Sequence, residues 1–368
     1  MKAKRKKVLI APLNWGLGHA TRCIPVINEF VRQSAEVLIA SDGRPLDLLK
    51  KEFPSFHFIE FPGYHIEYSA NGSMVFKMLL SSPKIFVSIN REHELLEEIV
   101  TKHKIDLVFS DNRYGCWSKH AYSVFMTHQI YIKCPVHLKW FEPMLYKINK
   151  RYISKYNECL VPDFEGEENL SGNLSHQTKL KGIKFIGPLS RFAEKKSEKN
   201  TPLTFGTEKF DLIVICSGPE PQRTIFEKLI AEEVLKTNFK VVLVRGVTEN
   251  GKTLEQKNNL RIISYADTNE IQSLIESSEI VISRPGYSTI MDLAVLGKKA
   301  IFIPTPGQTE QEYLAEYFMN KNIFYCTPQN NFNLKEALEK AKAFSGIKKS
   351  IQPELLSKAI SSTLSKIK

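Results

Sequence analysis

The sequence predicts an α/β protein built from two doubly wound, Rossmann-like domains, and three observations predict it. Short β-branched runs alternate with stretches of helical apolar spacing, which is typical of parallel sheets covered by helices. The length of 368 residues is enough for two domains of about 150 residues each. A charged stretch without apolar periodicity, residues 190–208, separates the alternation into two series.

The first series opens with the apolar run of residues 7–13, which predicts a buried first strand. Directly after it, Ile24, Ile27 and Val31 have the spacing of one helix face. A further helix is predicted around residues 95–99. The strands of this series are predicted over residues 7–13, 35–41, 56–61, 105–111, 123–130 and 158–164.

The second series is more regular and predicts a second Rossmann-like domain. Its strands are predicted over residues 211–216, 240–246, 261–266, 279–283 and 299–304, and its helices over residues 224–235, 270–278, 288–297 and 310–318. The predicted organisation is a first domain over residues 1–190, a linker over 191–208, a second domain over 209–350 and an amphipathic helix over 351–368 at the domain junction. Because ligands bind such sheets at the carboxyl ends of their strands, we expect the two domains to face one cleft.

Composition and charge indicate a soluble globular protein with an anionic partner. Hydrophobic residues make up 42% and charged residues 25% of the chain. The formal net charge of +11 favours attraction to nucleic acid, anionic lipid or a phosphorylated substrate. Because the sequence lacks an RNA-binding signature and interleaved aromatic and basic motifs, we expect no nucleic-acid partner.

The cysteines and the apolar runs point to a cytoplasmic protein. Six cysteines occur without a C-x-x-C pair or histidines at zinc-ligand spacing, so we expect reduced, mostly buried thiols. The apolar run after the basic amino terminus is too short for a signal peptide. No stretch reaches the roughly 20 apolar residues that span a bilayer.

Two loops of the second domain have the composition of phosphate-binding turns. Residues 216–222 and 284–289 each run from a predicted strand into a predicted helix. Helix amino termini carry unpaired N–H groups and a partial positive charge, which suits a diphosphate. Gly218 and Gly286 let the backbone approach a ligand closely. These loops are therefore the predicted nucleotide site.

The stretch SRPGYSTIMDLAVLGKKAIFIPTPGQTEQEYLA, residues 283–315, resembles the nucleotide-sugar signature of glycosyltransferase family 28. The resemblance implies the GT-B architecture of that family and a UDP-sugar co-substrate, with UDP-N-acetylglucosamine favoured. It assigns the ribose hydroxyls to Asp292, the sugar hydroxyls to Gln311 and the uracil to the backbone near Ala266. The implied donor-binding set is Gly16, Gly18, Ser217, Gly218, Arg223, Ala266, Arg284, Gly286, Ser288, Thr289, Asp292, Gln308 and Gln311.

Plain structural roles remain open for several of these residues. Thr289 and Asp292 also form a T-x-x-D capping box, in which the carboxylate only caps its own helix. Gln311 could be a solvated residue on an exposed helix face. Arg223 and Arg284 could be surface salt-bridge partners, although a helix start ordinarily favours an acidic residue over a basic one.

The stretch GLGHATR, residues 16–22, resembles the Gly-rich loop in the first domain of the same family. Gly16 and Gly18 let the backbone turn there, and the resemblance directs His19 toward the anomeric carbon. Imidazole titrates near neutral pH, so His19 is the predicted general base for an acceptor hydroxyl. Asp111, at the end of a predicted strand, is the second candidate base or the residue that orients His19.

These first-domain residues also have alternatives. His19 could be a loop histidine hydrogen-bonded to the backbone, and Asp111 could form a turn ahead of Asn112. Arg22 could reach a phosphate or lie in solvent on the helix surface.

The chemistry implied by the resemblance is inverting transfer of a sugar from a UDP-sugar to a hydroxyl acceptor. The chain contains no D-x-D pair, so we expect helix termini and arginine, rather than a metal ion, to stabilise the leaving diphosphate. A nucleotide-sugar 2-epimerase of the same architecture and a non-catalytic nucleotide-sugar-binding protein remain alternatives.

Residues 74–89 are the predicted acceptor region. They are apolar nearly all round, but Lys77, Pro83 and Lys84 interrupt them, so they suit a membrane surface rather than a span. An ordinary core helix is the alternative. Because the peptidoglycan enzyme of the resembled family takes a lipid-linked acceptor at its first domain, we expect a lipid-linked or cell-envelope glycan acceptor. We also expect peripheral contact with the anionic inner face of the membrane.

Overall fold

The structure, a computed structural model, describes residues 5–63, 82–178, 180–193, 208–247 and 252–367. The described residues form two compact α/β units. Those up to Arg191 and those from Ile351 onward make the first unit, and Phe192–Ser350 contributes the second. Each unit is built on one seven-stranded sheet with helices in the connections, which confirms the predicted fold class.

The first unit is a fully parallel sheet. Its strands are β1 (Lys7–Pro12), β2 (Glu36–Ser41), β3 (His57–Glu60), β4 (Leu107–Asp111), β5 (Tyr122–Met126), β6 (Glu158–Val161) and β7 (Ile183–Phe185), in the order β3-β2-β1-β4-β5-β6-β7. Its helices are α1 (Leu17–Arg32), α2 (Gly43–Glu52), α3 (Ser82–His103) and α4 (Glu142–Ile153). Strands β1 and β4 are buried on both faces, as their continuous apolar runs predict.

The second unit repeats this plan. Its strands are β8 (Phe210–Ile215), β9 (Val241–Val244), β10 (Leu254–Lys257), β11 (Leu260–Ile263), β12 (Ser278–Ser283), β13 (Lys299–Phe302) and β14 (Tyr325–Cys326), in the order β10-β11-β9-β8-β12-β13-β14. Its helices are α5 (Gln222–Val234), α6 (Thr268–Glu276), α7 (Tyr287–Leu296), α8 (Thr309–Asn320) and α9 (Leu334–Ala341).

The second sheet departs from the predicted all-parallel pattern at one edge. Strand β10 pairs antiparallel with β11, with Leu254 opposite Ile263. Its sequence, LEQK, has no continuous apolar run, because an edge strand buries little of its surface. The short strands β7 and β14 were also missed, since three and two residues are too few to show a period.

The last helix, α10 (Pro353–Ser365), belongs to the first unit. Thr363 Oγ1 donates a 2.7 Å hydrogen bond to Glu158 Oε2 on β6. Gln33, just after α1, donates a 3.0 Å bond from its side-chain amide to the Ser357 carbonyl. The chain therefore returns to its first sheet after completing the second.

Two further predictions can be compared with the described residues. All six cysteines are free and buried, as the sequence predicts. Ile24 and Ile27 are buried in α1, whereas Val31, expected on the same face, is 45% exposed.

Every helix in the described ranges is too short or too polar to cross a bilayer.

Candidate functional site

The loop from β1 into α1 carries the first group of candidate residues. Gly16 has a φ of +89° and caps the start of α1, a backbone conformation that favours glycine. Gly18 lies inside α1, where its carbonyl accepts a 3.1 Å bond from Thr21 Oγ1. Only the first of the two predicted turn glycines therefore makes the turn. As a result, His19 lies in the first turn of the helix.

His19 meets Asp111 at the carboxyl edge of the first sheet. Strands β1 and β4 are parallel neighbours, with Pro12 opposite Asp111, so the end of β4 lies beside the loop that follows β1. The His19 Nδ1 atom is 3.1 Å from Asp111 Oδ2. The carboxylate is fully buried, and the histidine side chain retains 13% exposure. The predicted pair is thus brought together, with the imidazole on the accessible side.

Arg22, one turn along α1 from His19, completes a buried cluster. Its Nε donates a 2.8 Å bond to Asp111 Oδ2, and its Nη2 donates to Asp111 Oδ1. The Nη2 atom is also 2.8 Å from His19 Nδ1, and Nη1 is 3.2 Å from Nδ1 of His128. Arg22 is only 2% exposed, so the alternative that it lies in solvent on the helix surface is excluded.

The cluster shifts the pKa values of both members of the pair. Burial opposes ionisation of Asp111, but the Arg22 cation and His19 outweigh it and hold the pKa of this carboxyl well below its usual range. Burial, with the positive charge of Arg22 second, lowers the pKa of His19 despite the opposing effect of Asp111. The resting cluster therefore holds an ionised Asp111 beside a neutral His19, a state in which the imidazole can accept a proton.

The loop between β8 and α5 carries the next candidates. Gly218 is exposed with a φ of +97°, and a side chain there would meet no atom within 4 Å. The glycine is thus required by backbone conformation rather than by crowding. Ser217 beside it is half-buried. Helix α5 then begins at Gln222, and N–H groups of its first turn already have partners within the protein. The Arg223 N–H donates to the Pro219 carbonyl, and the Thr224 N–H donates to Glu220 Oε2.

Arg223, in the first turn of α5, forms an ion pair within its own loop. Its guanidinium donates to Glu220, and its Nη1 lies 3.5 Å from the Arg245 carbonyl oxygen. The side chain is 15% exposed, compared with 49% for the glutamate. The sequence allows Arg223 to be a salt-bridge partner instead of a ligand contact, and the structure shows that salt bridge, with Glu220.

Arg284, directly after β12, lies in the interior rather than on the loop surface. Its Nη1 donates to the carbonyl oxygens of Ile303 and Pro304, at 2.9 and 3.0 Å. Its Nη2 donates to the Gln222 carbonyl at 3.3 Å and to Gln329 Oε1 at 2.5 Å. This conformation of Arg284 does not support the expected direct contact between its side chain and a diphosphate. Arg284 instead joins the loops that follow β8, β12, β13 and β14.

The start of α7 corrects the predicted capping box. Gly286 is the N-cap of the helix, and no side chain caps it. Its φ of −73° is open to any residue, so glycine is not required there by conformation. Thr289 and Asp292 are internal helix residues and, like Ser288, half-buried. The alternative that Asp292 merely caps α7 is therefore wrong.

A true capping box lies after β11. Asp267 accepts bonds from the backbone N–H groups of Asn269 and Glu270, and Glu270 accepts one from the Asp267 N–H. Ala266, the predicted uracil contact, directly precedes this box and is buried. The box fixes the start of α6 and, with it, the backbone of the loop that contains Ala266.

The two glutamines at the start of α8 organise the loop after β13. Gln308 is the N-cap and accepts a 2.7 Å bond from the Gln311 N–H. Gln311 in turn accepts a 2.8 Å bond from the Thr305 N–H through its Oε1. Both side chains are half-buried, so Gln311 is more than a solvated surface residue.

The second-unit candidates share one edge of their sheet. Strands β11, β9, β8, β12 and β13 are consecutive parallel neighbours, so the loops after β8, β11, β12 and β13 leave from the same side. His128 and Gln329, which contact Arg22 and Arg284, are missing from the predicted set. His128 lies within the predicted fifth strand, residues 123–130, whereas the structure ends that strand at Met126 and places His128 in the loop after it.

Comparisons with known proteins find sequence similarity in both halves of the chain. Residues 212–360 match the glycosyltransferase family 28 C-terminal domain, and residues 7–132 match glycosyl transferase family 1. The chain is 25% identical over 358 residues to an uncharacterised glycosyltransferase of Methanosarcina acetivorans, covering 88% of this chain and 86% of the relative.

A second relative matches only part of the chain in sequence, and a solved structure matches the whole chain in fold. A UDP-N-acetylglucosamine–N-acetylmuramyl-(pentapeptide) pyrophosphoryl-undecaprenol N-acetylglucosamine transferase of Flavobacterium psychrophilum is 34% identical over 116 residues, which is 30% of this chain and 31% of the relative. The crystal structure of the calicheamicin glycosyltransferase CalG4 superposes with a TM-score of 0.64 at 12% identity, covering 99% of each chain.

The sequence matches therefore identify this protein as a glycosyltransferase, and the structural similarity shows that it has the GT-B fold. Its second unit carries the family 28 C-terminal domain, which confirms the resemblance read from residues 283–315.

Proposed function

We propose that this glycosyltransferase moves a sugar, with N-acetylglucosamine the favoured one, from a UDP-sugar to a hydroxyl acceptor with inversion at the anomeric carbon. The observation that carries the proposal is the contact between His19 and the buried, ionised Asp111 at the carboxyl edge of the first sheet. A neutral imidazole beside a buried carboxylate is an arrangement suited to taking a proton from a hydroxyl group.

The proposed reaction is one displacement. The acceptor oxygen attacks the anomeric carbon as the bond from that carbon to the diphosphate oxygen breaks, and UDP departs with the bonding electrons. The acceptor proton passes to Nε2 of His19, because Nδ1 faces Asp111 and Arg22. Asp111 stays ionised and stabilises the imidazolium that forms. Attack opposite the leaving group inverts the configuration.

The donor site that we propose lies at the carboxyl edge of the second sheet. The amino termini of α5 and α7 lie at this edge, and the partial positive charge of a helix amino terminus favours a diphosphate. The family 28 match covers these loops, and the Flavobacterium relative is named for a UDP-N-acetylglucosamine donor. In this proposal Asp292 and Gln311 face the ribose and the sugar, Ala266 the uracil, and no metal ion takes part.

We propose a lipid-linked or envelope-glycan acceptor because of an apolar surface on the first unit and because of the relative's named acceptor. This membrane-facing surface comprises exposed apolar side chains of α3, of α4 and of the 3-10 turn before α4, namely Phe86, Val87, Val136, Trp140 and Met144. Val136 and Trp140 are 81% and 73% exposed. The Flavobacterium relative is named for a pyrophosphoryl-undecaprenol acceptor.

Basic side chains are exposed on the same segments as this membrane-facing surface. Lys84, Lys139 and Lys147 are exposed on the same segments. Phe86 stacks on Tyr152 with ring centroids 6.3 Å apart, which joins α3 to α4. Tryptophan beside lysine suits a bilayer interface, where each basic residue contributes about 1 kcal/mol on an anionic surface. The proposed location is therefore the cytoplasmic face of the membrane.

The predicted acceptor region, residues 74–89, overlaps this surface only in part. Residues 74–81, with Lys77, lie outside the described residues. Lys84, Phe86 and Val87 are described and exposed, which accords with the membrane alternative for that end of the region. The contribution of Trp140 and its neighbours was not anticipated from the sequence.

The proposal is tested by incubating the full chain with UDP-N-acetylglucosamine, with and without a lipid extract, and identifying products by mass spectrometry. We expect UDP release that depends on the extract and a product whose mass is increased by one N-acetylhexosamine. N-acetylmannosamine formed without an acceptor would instead identify a 2-epimerase. UDP binding without any product would identify a non-catalytic nucleotide-sugar-binding protein.

A further inference from the structure

Arg22 occupies the centre of the first-unit cluster, and the proposed roles of His19 as the base and Asp111 as its partner do not account for it. It is almost fully buried in α1, yet it reaches groups on three other positions of the chain: His19, Asp111 and His128. Two of its nitrogens, Nε and Nη2, form a two-point contact with the Asp111 carboxylate. Such a fork fixes the plane of the carboxylate, which a single ammonium group could not do.

The atoms around His19 Nδ1 define what Arg22 does to the imidazole. Nδ1 lies 3.1 Å from Asp111 Oδ2 and 2.8 Å from Arg22 Nη2. In the tautomer that leaves Nε2 free to accept a proton, Nδ1 carries the ring proton and donates it to Asp111, so Arg22 acts on the ring through its charge. Arg22 keeps its proton under all ordinary conditions, so it presents a fixed positive charge to the ring. Adding a proton to His19 would place a second positive charge against that guanidinium. The contact therefore favours the neutral ring.

Among the described residues, the charged and titratable groups that act on His19 come from three elements and differ in sign. From α1 there is Arg22, whereas the Cys23 thiol of the same helix contacts Asp111, at 3.7 Å. From β4 there is Asp111, and from the loop after β5 there is His128. Asp111 favours a charged imidazole, whereas Arg22 and His128 disfavour it. Without Arg22, the buried carboxylate would be left with His19 as its principal partner.

We propose that Arg22 is a positioning residue that holds the Asp111 carboxylate in a fixed plane and keeps His19 unprotonated until the acceptor hydroxyl is bound. This inference rests on the proposed function, in which His19 is the general base. It assigns Arg22 a role through its neighbours, not through contact with the reacting sugar.

The proposal predicts the direction in which the pH dependence of kcat/KM changes when Arg22 is replaced. A general base must be unprotonated, so activity falls on the acid side as His19 gains its proton. In the Arg22→Gln variant, one neighbouring cation is lost and Asp111 loses its counter-charge, and both changes favour the imidazolium. We expect the acid limb to move to higher pH by about one unit or more. A merely structural role of Arg22 would lower the folded fraction without moving this limb.

Two further variants sharpen the test. Arg22→Lys keeps the charge but not the fork, so we expect an acid limb close to that of the wild type together with a reduced kcat. Arg91→Gln removes an exposed arginine from α3 and serves as the matched control, with an unchanged profile. If Arg22→Gln does not fold, Arg22→Lys alone decides: an unreduced kcat would show that the fork is not needed.

The same shift is measured without turnover by NMR titration of histidine-labelled protein, with the His19 signal assigned by its absence from His19→Gln. We expect His19 to titrate at higher pH in Arg22→Gln than in wild type. If no UDP-sugar is turned over but this shift is found, the proposed function fails and the role of Arg22 stands. An unmoved His19 titration or an unmoved acid limb in Arg22→Gln would overturn the inference.

Discussion

Replacing Arg284 by alanine should destabilise the second unit far more than loss of a surface arginine would. The side chain is 1% exposed and gives hydrogen bonds to three backbone carbonyls and to Gln329, while its guanidinium lies 4.5 Å from the centre of the Phe226 ring. Truncation to alanine leaves these acceptors without their donor and opens a cavity.

The expected size follows from those contacts. Hydrogen bonds from a charged group contribute about 1.5–3 kcal/mol each when measured singly, but losses within one cluster do not add. Breaking a buried, multiply bonded arginine therefore costs about 3–5 kcal/mol, a large part of the roughly 5–15 kcal/mol that stabilises a domain. With a urea m-value of about 2 kcal/mol/M, the midpoint should fall by about 2 M.

Urea unfolding followed by far-ultraviolet circular dichroism measures this change. All three tryptophans, Trp15, Trp117 and Trp140, lie in the first unit, so tryptophan fluorescence reports that unit separately. Arg223→Ala is the matched control, since its partly exposed ion pair with Glu220 is worth about 1 kcal/mol or less. The reasoning is refuted if Arg284→Ala and Arg223→Ala unfold at the same urea concentration.

Three other predictions concern the donor, the metal and the membrane. Gln311→Ala should weaken UDP-sugar binding by about 1–3 kcal/mol in calorimetry, because it removes the proposed ligand contact and the bond that holds the Thr305 N–H; an unchanged affinity removes Gln311 from the site. Activity should persist in EDTA, and loss that only magnesium or manganese restores contradicts the metal-free proposal. In vesicle flotation at low salt, the double variant Lys84→Glu with Lys139→Glu should bind anionic vesicles at least about tenfold more weakly, whereas Lys335→Glu on α9 should bind like wild type. Equal binding by all three proteins, or binding indifferent to lipid charge, would place the acceptor away from the membrane.

The sheets could be predicted from the sequence because their strands are buried on both faces. Residues 8–13 are a continuous apolar run and residues 107–109 are apolar, and strands β1 and β4 form there. The edge strand β10 could not be predicted, since its sequence LEQK carries no apolar period. A strand's apolar pattern reflects how much of it is buried. The central strands were therefore predictable, whereas of the four edge strands β3, β7, β10 and β14 only β3 was predicted.

Some residues of the candidate site could likewise be predicted from the sequence, and others could not. Gly16 and His19 were predicted from local sequence, because a positive φ and a strand-to-helix turn are local properties. The roles of Arg22 and Arg284 could not be predicted, because each is a buried cation whose partners lie far along the chain, and sequence alone favours the surface for arginine. Their partners become visible only when the strand ends are brought together.

The central claim, that His19 takes the acceptor proton, is tested most directly by measuring donor affinity and turnover in the same His19→Ala protein. We predict that UDP affinity by calorimetry stays within about threefold of wild type, while turnover falls about 10² to 10⁴-fold, the usual contribution of a general base. Turnover that is nearly unchanged in His19→Ala but abolished in Asp111→Asn would contradict the claim and make Asp111 the base.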